Sequence, residues 1–155
     1  MISRAVAAAA LVMTLTLSAF ASSLPEELGV WRLRSEHVTD LTASEALGSW
    51  KSASYVRLAP VARIEVQLTE GPGPGELYVP EGMVFSDDGP IGFLSTYETL
   101  NVAGRHAVLE RSGVTGQALA VALGTRTVTF ESRGISREEL LGFAESMVKA
   151  LEYRQ

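Results

Sequence analysis

The sequence predicts an α+β domain: an antiparallel sheet of about six to seven strands with one C-terminal helix packed on a face. Three observations carry that expectation. "VARIEVQLT" alternates strictly, with Ile64, Val66 and Leu68 on one side and Arg63, Glu65, Gln67 and Thr69 on the other, as a half-buried strand does. From "FLSTYETLNV" to "TRTVTFES" four short runs are separated by Ala103-Gly104, Ser112-Gly113 with Gly116, and Gly124-Thr125, too closely for parallel crossovers. The chain then ends in "ISREELLGFAESMVKALEYRQ", where Leu140, Ala144, Met147, Val148 and Leu151 recur at helical spacing.

The opening 23 residues, "MISRAVAAAALVMTLTLSAFASS", stand apart. Arg4 is followed by an uncharged apolar run, and Ala19-Phe20-Ala21 fits an A-x-A cleavage site. Residues 1–21 are therefore expected to be a secretory signal peptide cut after Ala21, leaving residues 22–155 as a single domain. The apolar run is short for a membrane-spanning helix, so no stable membrane insertion is expected after cleavage.

In the remaining chain, Ser23-Leu24-Pro25-Glu26 predicts a helical turn ended by Gly29. "GVWRLR" predicts a short strand from Val30 to Arg34. "TASEALG" predicts one helical turn stopped by Gly48, and "ASYVRLAP" a strand stopped by Pro60. "ALAVAL" is apolar on both sides, which predicts a central strand whose alanine face lets the helix approach closely. For that helix, Ser136 and Glu139 stand at capping-box spacing, Ile135 and Leu140 at staple spacing, and Lys149 and Arg154 near its end.

Composition excludes several functions. The formal charge is −5 at pH 7, the wrong sign for nucleic acid or an anionic membrane surface. Cysteine is absent, which removes thiol nucleophiles, thiolate metal sites and disulfides. With two histidines and no G-x-S-x-G or S-x-x-K motif, nucleophilic catalysis lacks a signature. No cofactor and no metal is expected.

Two regions remain as candidates. "TEGPGPGELYVP" has three glycines in five positions, but Pro72 and Pro74 lack N–H donors and Glu70 and Glu76 repel anions. The irregular span 71–90 is long enough to serve as a binding rim, with Glu70, Pro72, Pro74, Glu76 and Tyr78 as its candidate residues. Asp87-Asp88-Gly89 lacks the alternate spacing of a calcium loop and is expected to be a turn. The second region is a sheet face. A two-residue turn at Ala103-Gly104 would pair Leu100 with Ala107 and Asn101 with His106. Tyr97, Thr99, Asn101, His106 and Glu110 would then share the outward face with Val108.

"NVAGRHAVLERSGVTGQALAVALGTRTVTFESRGISREELLGFAESM" resembles small exported bacterial α+β domains found on anti-sigma regulators and lipoproteins, and more distantly the PsbP-like fold. The resemblance implies a turn glycine, an inward Ala107 and a capping box, and carries over no catalytic or ligand residue. The expected function is a secreted or periplasmic, non-catalytic binding or accessory domain with a protein or small-molecule partner. Two alternatives stand beside it: a carrier of an apolar small molecule between sheet and helix, and a small hydrolase using the His106 face.

Overall fold

The computed structural model describes residues 24–41, 48–71, 77, 83–85 and 95–153. In chain order the elements are β1 (Glu27–Leu28), β2 (Trp31–Leu41), β3 (Gly48–Leu58), β4 (Val61–Glu70), β5 (Met83–Phe85), β6 (Thr96–Val102), β7 (Arg105–Ser112), β8 (Gly116–Ala122), β9 (Arg126–Ser132) and α1 (Arg137–Tyr153). The strands form one sheet in the order β1-β2-β3-β4-β9-β8-β7-β6-β5, every neighbouring pair antiparallel.

The α+β class and the C-terminal helix match the expectation, but the nine strands among the described residues exceed the six to seven read from sequence. The expected turn over residues 23–29 is instead the start of a hairpin. Gly29, at φ +61°, folds Glu27–Leu28 back onto Trp31–Arg32. Three-residue β5 lies inside the span expected to be irregular and is too short to show a period. β2 runs on to Leu41, well past Arg34, because the pairing slips between Leu33 and Ser35. That bulge at Arg34 shifts the inward positions from odd to even numbers and hides the alternation. The turn expected over 42–48 lies mostly outside the described residues, and Gly48 opens β3.

The topology is two meanders joined along one seam. β1 to β4 run from one edge to the middle; β5 to β9 run from the far edge back to it. β4 and β9 pair there from Glu65↔Glu131 to Glu70↔Arg126. β4 thus ends in the middle of the sheet and β5 stands at its far edge, with β9, β8, β7 and β6 between them. Just past β4, Gly71 N–H donates to the Thr125 carbonyl at 3.0 Å.

One sheet face makes the core. Ala53, Val66, Phe130, Leu119 and Leu109 are aligned across five strands, and Leu68, Val128, Val121 and Ala107 form the next row. All are buried, most of them completely. The alanine face of β8 was expected to meet the helix; the helix instead packs on the Leu119 and Val121 side, and Ala118, Ala120 and Ala122 lie on the opposite face. Larger side chains bury more apolar area against α1, which decides the orientation.

α1 begins where the sequence places it. Ser136 Oγ accepts from Glu139 N–H at 3.1 Å, and the staple residues Ile135 and Leu140 are buried. Glu139 does not complete the box; its carboxylate pairs with Arg57 on β3. The last helical turn has no basic residue among the described residues: Lys149 bonds back to Glu145 at 2.6 Å, and Arg154 lies outside them. The whole predicted stripe is buried, together with Phe143. Phe143 meets Trp31, Tyr55 and Phe130 edge-on at 5.6, 5.2 and 5.8 Å. It thus ties the helix to β2, β3 and β9 at once. Phe143→Ala is expected to lower unfolding stability by about 3–5 kcal/mol in denaturant melts. A loss no larger than that of an exposed-site control such as Ser146→Ala would contradict the packing described.

Candidate functional site

The β6–β7 hairpin has the register read from sequence: Leu100↔Ala107, Asn101↔His106 and Tyr97↔Glu110. Ala103 and Gly104 both have positive φ, 51° and 81°, as a two-residue hairpin turn requires. Tyr97, Thr99, Asn101, His106 and Glu110 do share the face away from the helix. They do not converge. Asn101 Oδ1 caps its own turn by accepting from Gly104 N–H at 2.7 Å. Glu110 accepts from the buried Ser95 hydroxyl at 2.9 Å. His106 is exposed and stands four residues from Glu110 on one strand, about 13 Å away. The described residues also contain no group of three His, Cys, Asp or Glu able to hold a metal ion.

A different feature has the geometry of a binding site. β2 has eleven residues, but β1 covers only its first few. The pairing runs Leu28↔Trp31 and Glu27↔Arg32, and ends with Leu33 N–H donating to the Glu26 carbonyl at 2.8 Å. The chain then turns away from the edge: Tyr55 Oη donates to the Pro25 carbonyl at 2.5 Å, and Leu24 is buried in the core. Pro25 also has no N–H to continue the ladder. Among the described residues, no strand pairs with Arg34–Leu41 on its outer side.

The direction of the backbone groups along β2 follows from register. Trp31 and Leu33 face the core and turn their N–H and C=O groups toward β1. Past the bulge the core-facing positions are Glu36, Val38 and Asp40, opposite Ala53, Lys51 and Ser49. In a strand, face and hydrogen-bonding direction are coupled, so these three residues point their backbone groups outward. Val38 is 51% exposed. At the head of this edge lies a cleft of about 400 Å³ lined by Glu26, Glu27, Arg32, Leu33, Arg34, Ser35 and Glu36. Sequence reasoning stopped β2 at Arg34 and so missed the site; "HVT", with its two β-branched residues, was the available signal.

Of the loop-rim candidates, Pro72, Pro74, Glu76 and Tyr78 lie outside the described residues, as do Asp87 and Asp88. Glu70 is not a rim residue. It closes β4 with its carboxylate held inward, accepting from Lys51 Nζ and Ser49 Oγ, each at 2.9 Å, with Arg126 at 3.9 Å. Burial raises its pKa, but the bonds from Lys51 and Ser49 and the charges of Lys51 and Arg126 outweigh that. The carboxyl is held below its ordinary 4.5. The cluster links β3, β4 and β9 at the end of β4, which is a structural use of these charges.

No known protein family, curated protein or solved structure matches the chain.

Because Glu70 is more acidic folded than unfolded, its contribution is fully present above the unfolded value and is lost as pH falls through the lower, folded one. Glu70→Gln is expected to cost about 1–2 kcal/mol near neutral pH and to flatten the stability profile below about pH 4.5. Equal stability of the two proteins at pH 7, with parallel acid profiles, would contradict the clamp.

Proposed function

We propose that the chain is an exported, non-catalytic binding or accessory domain that accepts an extended segment of a partner protein along the open edge of β2. The observation that carries this reading is the outward direction of the backbone groups at Val38 and Asp40, beyond the end of β1. Such an edge binds by adding a strand: main-chain hydrogen bonds supply affinity, and alternate side chains supply selectivity. Long open edges are liabilities that folds ordinarily cover. Here the chain instead leaves the edge at Pro25 to bury Leu24. Export rests on the leader sequence. Among the described residues no helix is long and apolar enough to cross a membrane.

The other two readings have less support. A carrier needs space between sheet and helix, yet Leu140, Ala144, Met147 and Val148 reach zero exposure against Val66, Leu119 and Phe130. A hydrolase needs His106 within reach of a carboxylate or hydroxyl, and Glu110 is committed to Ser95 two rows away.

The test is to pan a library of cyclic hairpin peptides on protein from the exported fraction, whose intact mass should correspond to a start at Ser22. Selected peptides are expected to shift the amide resonances of Val38 and Asp40 and to lose binding to Val38→Pro. Proline there removes an outward N–H, and an edge position tolerates it. Shifts confined to α1 or to the His106 face, with Val38→Pro binding normally, would overturn the reading.

A further inference from the structure

The seam between β4 and β9 is open at one end. Their pairing ends at Glu65↔Glu131 and β9 stops at Ser132, while β4 reaches back to Val61. A cleft of about 490 Å³ lies there, lined by Arg63, Glu65, Thr115, Glu131, Ser132 and Arg133. That volume suits a small molecule.

The walls of the cleft are held in place. Arg63 pairs with Glu65, and its carbonyl accepts from Ser132 Oγ at 2.8 Å. Glu131 accepts from Gln67 Nε2 at 2.9 Å. On the other wall stands Gly116, at φ +92°. A Cβ there would lie 2.6 Å from the Ser132 carbonyl oxygen and 3.0 Å from both Cα and Cγ of Arg133. The β7–β8 turn therefore closes against the stem of Arg133 only because residue 116 has no side chain. Arg133 is exposed, and among the described residues its guanidinium has no ion-pair partner.

The charges decide what fits. Arg63 and Glu65 offset each other, which leaves Arg133 and Glu131, two residues apart in the chain and about 7 Å apart along the strand direction. A plain anion drawn to Arg133 meets the repulsion of Glu131, and a plain cation drawn to Glu131 meets that of Arg133. A ligand carrying both signs, set a short distance apart, is attracted twice and repelled by neither. The terminal ammonium and carboxylate of an extended dipeptide are about 6 Å apart. A guanidinium grips a carboxylate through two parallel N–H donors, and Glu131 offers its oxygens to an ammonium.

We infer that this cleft binds a zwitterion of dipeptide size, its carboxylate on Arg133 and its ammonium on Glu131. The site shares no residue with the β2 edge and does not depend on strand addition.

The experiment titrates the protein with Ala-Val, N-acetyl-Ala-Val and Ala-Val amide, and reads the amide shifts of Thr115, Glu131 and Arg133. Ala-Val is expected to bind at least fivefold tighter than either blocked form, as about 1 kcal/mol for one exposed charge pair implies. Added salt should narrow both gaps. Arg133→Gln should remove the preference for the free carboxylate and keep that for the free amine; Glu131→Gln should do the reverse. Both side chains are exposed, so both variants should fold as the parent does. Equal binding of Ala-Val and either blocked form would overturn the inference, as would preferences that survive both substitutions. No shift at Thr115, Glu131 or Arg133 with any of the three would overturn it too. Shifts confined to Val38 and Asp40 would place the peptide on the β2 edge, overturning this inference and leaving strand addition standing.

Discussion

Everything in this fold hangs on the pairing of β4 with β9. Neither meander has a closed core of its own: Tyr55, Ile64, Val66 and Leu68 belong to one, and Leu109, Leu119, Val121, Val128 and Phe130 to the other. Only when the two middle strands meet do these residues form one continuous apolar surface for α1. Glu70, held by Lys51 and Ser49 with Arg126 beside it, pins the end of β4 to β3 and β9 at this seam. Long-range pairing of this kind brings its reward only after a large loop closes, so the fold is expected to be cooperative and its folding comparatively slow.

α1 is the second half of the same constraint. Its side chains reach both meanders: Phe143 to Trp31, Tyr55 and Phe130; Glu139 to Arg57; Arg137 Nη2 to Glu98 at 2.8 Å; Glu152 to Arg105 at 2.5 Å. The ion pairs at its two ends are partly exposed and worth little singly. The buried aromatic cluster is what holds the helix. With the helix spent on the core face and the seam in the middle, the sheet's exposed backbone is confined to its two margins. One margin ends in the short β5. The other is β2, long, bulged and, among the described residues, covered by β1 only at its head.

Much of this architecture was legible in the sequence, and the gaps have physical causes. Strict alternation in Val61–Glu70, the glycine turns after Val102 and the Ser136 cap located β4, the β6 to β9 meander and α1, because in those places local pattern and tertiary role agree. Phe143 was left out of the stripe read at helical spacing, Leu140, Ala144, Met147, Val148 and Leu151, yet the buried face of α1 is wide enough to include it. The alanine face of β8 was assigned the wrong neighbour, since composition alone does not say which face of a two-sided apolar strand meets the helix. β2 was cut short because one bulge inverted its period. The candidate site suffered most from that error. His106 and Glu110 share a face as read, but strand spacing keeps them apart; Glu70 proved a clamp; and the open edge lay in the very residues the broken period concealed.

Native-state hydrogen exchange, residue by residue, tests the seam and the edge together. The amides of Val66, Leu68, Val128 and Phe130 should exchange only through global unfolding, at the full unfolding free energy. The outward amides of Val38 and Asp40 should exchange far faster than those of His37 and Thr39, which point toward β3. Protection of Val38 and Asp40 equal to that of the seam would mean the edge is already covered. Faster exchange of one entire meander at a free energy well below the global value would mean the seam does not unite the fold.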